Sequence, residues 1–232
     1  MLGIDSVPAI QMAIDQVNAT GGIAGEKLVL AVEDDQYITA KTVAAYNHLT
    51  RNRGARVIFV LTYGGLAAVA PKAERDGVIL IDTLDSDEET AKLPGNTFCI
   101  AKTTESMGRK LAGDSIKGMF GLAFIAPRND ALKKFEVEFK SRVGRVWRFE
   151  TSTISSYDAM TLVARSMAES GGLSRNESGA AVISTDRLRE RLLSVKGYQG
   201  LSGVITIDPD GITRSLDVRA VEFGVDGVVR VL

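Results

Sequence analysis

Two singletons limit the covalent and metal chemistry open to this sequence. His48 is the only histidine and Cys99 the only cysteine, so a histidine-based metal site or a Ser-His-Asp triad is hard to assemble, and no internal disulfide can form. Cys99 sits in the apolar stretch NTFCIA, which suits a buried, inert thiol. No G-x-G-x-x-G follows the first strand, no G-x-x-x-x-G-K-[ST] occurs, and GDSIKG lacks the G-x-S-x-G nucleophile elbow. The run DSDEE has neither the glycine nor the wider ligand spacing of a calcium loop. Neither a metal nor a cofactor is expected. The remaining chemistry is that of binding: the acidic Glu33-Asp34-Asp35, the turn Thr62-Tyr63-Gly64-Gly65, and the acidic, hydroxyl-bearing stretch from Asp82 to Glu89. Glycines at a helix start leave backbone N–H groups open to a carboxylate, although the same pair equally serves to turn a strand into a helix.

The elements that must position these loops follow from apolar spacing. Ile10, Ala13, Ile14 and Val17 share one face of a helix over 8–20, with Ser6 as N-cap and Gly21-Gly22 as the stop. KLVLAV at 27–32 predicts a buried parallel strand, followed by a helix from Thr39 to Arg53 and a second strand, RVIFVL, at 56–61. An Ala-rich helix then runs to Asp76, and VILID forms a third strand. Strand, loop and helix in series predict an α/β fold, a parallel sheet with helices on both faces, in which ligands sit beyond the carboxyl ends of the strands. That rule selects the loops 34–37, 62–66 and 82–87. Further on, NTFCIAK and MFGLAFIA read as strands, and helices are expected from Thr104 to Ser115, Asp130 to Val143, Ser155 onward and Asp186 to Val195. Residues 171–179 read as a mobile loop, and Pro209-Asp210-Gly211 as the hairpin turn of a β-rich end.

Composition narrows the partners. The chain has 232 residues, 28 Lys plus Arg against 29 Asp plus Glu, and a formal net charge of −1. It therefore lacks the broad positive field that nucleic-acid binding requires. No apolar run reaches the roughly 18 residues of a membrane span, and MLGIDSVPAI lacks the layout of a secretory signal, so the chain as given is expected to be soluble.

PAIQMAIDQVNATGGIAGEKLVLAVEDDQ, RVIFVLTYGGLAAVAPKAERDGVILID, SSYDAM and GLSGVITIDPDG occur in this order along most of the chain. Together they resemble the type I periplasmic solute-binding proteins, the branched-chain amino-acid binding proteins of ABC importers. Two departures stand out. The family opens with a central strand ahead of the first helix, whereas only a few residues precede Pro8 here. Near Lys117-Gly118, where the family builds a second lobe, exit and return look fused. The resemblance thus implies one lobe of a two-lobed clamp, with a first part at 1–116, a return segment at 117–215 and hinge or terminal strands at 216–232.

The resemblance also implies site residues. Tyr63 stands where the family has a serine, and Gly64 and Gly65 follow it in the first ligand loop. Leu84 falls where a backbone carbonyl accepts a ligand ammonium, and Ser86 where a threonine hydroxyl does. Asp82 and Asp85 are additional, and either meet a cationic group or serve as cap and turn residues. Ser155, Ser156 and Tyr157 would approach the rim of the cleft, or act as N-cap and core. The implied ligand is an amino acid or a related zwitterionic or anionic molecule. The implied partner is an importer permease, the implied compartment is periplasmic or extracellular, and the chain is no enzyme. A ligand-sensing regulatory domain of the same fold is the alternative, and a nucleotide-dependent enzyme a more distant one. A lone lobe predicts weak binding and self-association through its exposed surface.

Overall fold

The computed structural model describes residues 3–84, 88–101, 120–123, 126–214, 219–223 and 229–231. Its centre is a parallel sheet of β1 (Val57–Phe59), β2 (Ile79–Asp82) and β3 (Thr97–Cys99) in that order. Phe59 is in register with Ile81, and Ile81 with Phe98. Successive side chains of a strand point to opposite faces, and each face meets its own helical layer. Ile79, Ile81 and Phe98 join a cluster with α1 (Gly3–Ala19) and α6 (Glu150–Glu169). Ile58, Val60, Val78 and Leu80 join another with α2 (Thr39–Asn52) and α3 (Tyr63–Asp76). Every residue of β2 and β3 is buried, and each large apolar side chain so placed contributes about 1.5–3 kcal/mol.

Helix α1 buries two faces. Ile10, Ala13 and Ile14 meet the sheet and α6, while Ala9 and Met12 meet a third cluster formed with Leu132, Phe135 and Phe139 of α5 (Asp130–Val143). Asn129 caps α5 by accepting from the Leu132 N–H at 2.9 Å, and Gly144 ends it in the left-handed region. A short α4 (Glu88–Ala91) precedes β3. Beyond α6 lie an antiparallel pair, β5 (Leu173–Arg175) and β6 (Ala181–Ile183), then α7 (Thr185–Leu193) and a second pair, β7 (Tyr198–Gly200) and β8 (Gly203–Ile205). β4 (Phe120–Ala123), β9 (Arg219–Phe223) and β10 (Val229–Val231) form a separate antiparallel sheet in the order β10-β9-β4.

Several elements differ from the sequence expectation. α1 begins more than a turn early and includes Pro8, so Ser6 is a fully buried helical residue and not a cap. Residues 27–32 belong to no ladder among the described residues, and Val29 is 90% exposed. α6 opens at Glu150 and not at Ser155, so Ser155, Ser156 and Tyr157 lie inside it. The expected loop at 171–179 contains β5 of a hairpin, whose turn is held by the Asn176 side chain accepting from the N–H groups of Ser178 and Ala180. MFGLAFIA contributes β4, which pairs antiparallel with β9 and not with the parallel sheet. The Pro209-Asp210-Gly211 turn closes a tight loop, with Asp208 donating to the Ile212 carbonyl at 2.9 Å. The expected helix from Thr104 to Ser115 and the junction at Lys117-Gly118 lie outside the described residues.

Candidate functional site

The carboxyl tips of β1 and β2 lie side by side. Val60 donates its N–H to the Ile81 carbonyl at 2.9 Å, which sets the loop at 62–66 next to the one that begins at Asp82. The third selected loop joins them, because the Tyr37 hydroxyl donates to the Leu61 carbonyl at 3.0 Å. Gln36 and Tyr37 both have positive φ, 52° and 61°, an uncommon backbone for residues with side chains. Asp35 steadies that turn by accepting from the Tyr37 N–H at 3.0 Å and the Thr42 hydroxyl at 2.6 Å.

Tyr63, Gly64 and Gly65 form the first turn of α3, with no separate turn ahead of it. Thr62 is the N-cap residue but makes no side-chain cap, and the first intrahelical bond runs from the Leu66 N–H to the Thr62 carbonyl at 2.8 Å. The N–H groups of residues 63–65 therefore have no intrahelical partner and converge at the positive end of a 14-residue helix. Gly65 is buried, and a Cβ there would stand 2.6 Å from the Thr42 hydroxyl oxygen and 2.9 Å from the Thr62 methyl. The glycine is thus required to let the starts of α2 and α3 meet, and Gly64 lies exposed beside it.

In the second loop, Asp82 is fully buried, and its Oδ1 accepts from the Leu84 N–H at 2.8 Å, folding the strand end into a tight turn. Among the described residues no group donates to the Leu84 carbonyl. Asp85 and Ser86 lie outside the described residues. Beneath the loop, the hydroxyls of Thr83 and Ser156 are 2.8 Å apart and both side chains are fully buried. They brace β2 against α6. Nothing in its residue type distinguishes Thr83 in the sequence, although it occupies a selected loop.

Tyr157 is turned elsewhere. Its ring lies 4.8 Å from that of Phe135, in a cluster with Phe139 and Trp147, and its hydroxyl donates to Gln16 of α1 at 2.5 Å. Helical geometry places it about 100° around α6 from Ser156, so the neighbour that touches β2 is the serine. Asp158, also buried, accepts from the Leu201 and Ser202 N–H groups at 2.8 and 2.7 Å and from the Ser202 hydroxyl at 2.6 Å. Burial drives its carboxyl above the usual range against the pull of those donors. His48 makes a surface contact with Glu33 at 2.6 Å, and no group of three or more metal-binding side chains occurs among the described residues.

The arrangement offers uncapped N–H donors from α3 to a carboxylate, and an acceptor carbonyl at Leu84 to an ammonium. A family model described as periplasmic binding protein matches residues 1–117. Among solved structures, the branched-chain amino-acid transporter substrate-binding protein LivJ from Streptococcus pneumoniae, in complex with isoleucine, is similar with a TM-score of 0.76 at 14% identity, over 100% of this chain and 94% of that one. An ABC transporter substrate-binding protein from Desulfitobacterium hafniense in complex with leucine gives a TM-score of 0.78 at 14% identity, over 98% and 95%. A solute-binding protein from Rhodopseudomonas palustris in complex with 3,4-dihydroxybenzoic acid gives 0.71 at 15%, over 98% and 90%. No curated protein sequence matches the chain. The likeness to these structures is one of fold.

Proposed function

Because the chain belongs to the periplasmic binding protein family, we propose that it captures a small zwitterionic or anionic solute, an amino acid or an analogue, as the binding component of an ABC importer. The observation that carries this reading is the meeting of the β1 and β2 carboxyl tips, with the uncapped turn Tyr63-Gly64-Gly65 on one and Leu84 on the other. A ligand carboxylate accepts from the N–H groups of α3, and its ammonium donates to the Leu84 carbonyl and to the hydroxyl of Ser86. Asp85 adds negative charge beside the ammonium. Tyr63, 38% exposed, supplies an aromatic wall where a small hydroxyl is the family's usual choice. The Thr83–Ser156 contact holds the second loop in place without touching the ligand. Tyr157 acts from behind, by seating α6 on α1 and α5. This chemistry is binding and breaks no bond. A membrane permease is the receiving partner, and the periplasm or cell exterior the compartment.

Isothermal titration of the monomer with leucine, isoleucine, 3,4-dihydroxybenzoate and the corresponding carboxamides, which lack only the carboxylate charge, tests the reading. The acids bind and the amides do not. Equal binding of acids and amides refutes the carboxylate site.

A further inference from the structure

The end of the sheet remote from the solute loops carries a second concavity. Arg56 stands just ahead of β1, so about 20 Å of extended chain separates it from Thr62 at the other end. Here the C-terminal turns of α2 and α3 meet around a hollow of about 300 Å³. Thr50 and Arg51 of α2, Arg56, and Lys72 and Asp76 of α3 line it. Three of these side chains are cations and one is an acid.

That acid is engaged elsewhere. Asp76 Oδ2 accepts from the Tyr46 hydroxyl at 2.9 Å and pairs with Lys72, whose ammonium lies 5.3 Å from the centre of the buried Tyr46 ring. Lys72, with the Tyr46 hydroxyl, holds the Asp76 carboxyl below the usual carboxylate range against its burial. Burial first, and then Asp76, push the Tyr46 phenol up, while Arg56 and Arg75 pull it back through space. Arg56 reaches only the main-chain carbonyl of Asp76, at 3.4 Å. Elsewhere Arg128, Arg142, Arg165, Arg191 and Arg214 each hold a carboxylate. Around the hollow, Arg51, Arg53, Arg56 and Arg75 form no ion pair among the described residues.

Helix C-termini draw cations, yet several carbonyls here are taken by the chain itself. Leu49 accepts from the Ala55 N–H at 3.0 Å, and Ala73 and Glu74 accept from the Val78 and Gly77 N–H groups at 2.9 and 3.3 Å. The Thr50 hydroxyl donates to the Tyr46 carbonyl at 2.8 Å. Arg51 and Arg56 are exposed, so positive charge is gathered in one concavity of a chain whose formal net charge is −1.

We infer that this hollow is a second binding site, for a small anion that carries a phosphate group. The planar forks of Arg51 and Arg56 match pairs of phosphate oxygens, and Lys72 adds a compact charge. The volume admits a phosphomonoester or pyrophosphate. An amino acid is a poor occupant, because its ammonium would meet three cations and a carboxylate already held by Lys72 and Tyr46.

The probe is pyrophosphate, titrated calorimetrically into the whole chain at physiological ionic strength. One molecule is expected to bind per chain, and Arg51→Gln or Arg56→Gln each to weaken it about 5-fold or more with an unchanged melting temperature. Lys133→Gln, at an exposed position of α5, is expected to leave binding intact. Cosedimentation with vesicles of phosphatidylglycerol and phosphatidylcholine in equal parts identifies the source of the phosphate. Capture that Arg51→Gln abolishes assigns a lipid headgroup, and pyrophosphate binding without capture assigns a free phosphate compound. Absence of both overturns the site, as does an equal loss in Lys133→Gln or sulfate binding as tightly as pyrophosphate. Leucine titration of the Arg51→Gln chain reads the solute loops separately, so failure of either site leaves the other standing.

Discussion

Asp5 shows how one carboxylate joins two helices. Its Oδ2 accepts from the N–H groups of Arg148 and Phe149 at 2.7 and 3.2 Å, at the entry to α6, and the Arg145 guanidinium lies 2.7 Å from Oδ1. Burial pushes this carboxyl up, but the Arg148 N–H, Arg145 and the Phe149 N–H together outweigh it and hold the group below the usual carboxylate range. The fold therefore favours the charged form, so the stabilisation is complete above the ordinary carboxylate value and is lost as pH falls through the lower folded one. Thermal melts are expected to show Asp5→Asn less stable by about 1–3 kcal/mol at pH 7, with a shallower loss below about pH 4 than the parent chain. Asp158 supplies the larger case. Asp158→Ala strands three donors under Gly200, where a Cβ would already lie 2.5 Å from the carboxylate, and urea denaturation should register about 2–4 kcal/mol. At the site, Thr83→Val leaves Ser156 without its buried partner and is expected to cost about 1–2 kcal/mol of stability, with the Thr83→Val/Ser156→Ala pair costing less than the sum of the single changes.

The element scale explains what was legible in the sequence. The helix over 130–143 was readable to the residue because its cap, its apolar spacing and its closing glycine agree with one another, and β2 was readable because both its faces are apolar. The run at 27–32 shows the limit. Its composition is that of a buried strand, but a ladder is a property of two segments, and no spacing within KLVLAV reveals whether a neighbour is in register. Likewise nothing local announces that α6 starts at Glu150, since Phe149 makes no side-chain cap and the entry is held by Asp5, far away in sequence. The three loops were selected by the strand-end rule, whereas the burial of Thr83 and the turn of Tyr157 toward Phe135 depend on tertiary packing. Gly65 connects the scales. Gly65→Ala drives a methyl into Thr42 and Thr62, so it should separate α3 from α2, lower stability by about 1–3 kcal/mol and weaken carboxylate binding in the same titration.

For the whole molecule, the central sheet, its two helical layers and the separate antiparallel sheet of β4, β9 and β10 divide the chain into parts that can be probed one at a time. We propose that residues 1–116 and 117–215 complete one lobe and that 216–232 serve as its hinge or terminal strands. Analytical ultracentrifugation tests the self-association expected of an exposed lobe surface: a dimer that dissociates with dilution supports it, and a monomer at all concentrations refutes it. The single thiol of the chain offers a different kind of measurement. Cys99 is wholly enclosed in β3, between β2 and the strip at 211–213. A sulfhydryl reagent can reach that sulfur only when those neighbours part, so its reaction rate under native conditions is a clock for opening of the sheet, and a docked solute that spares the centre should leave the clock's pace unchanged.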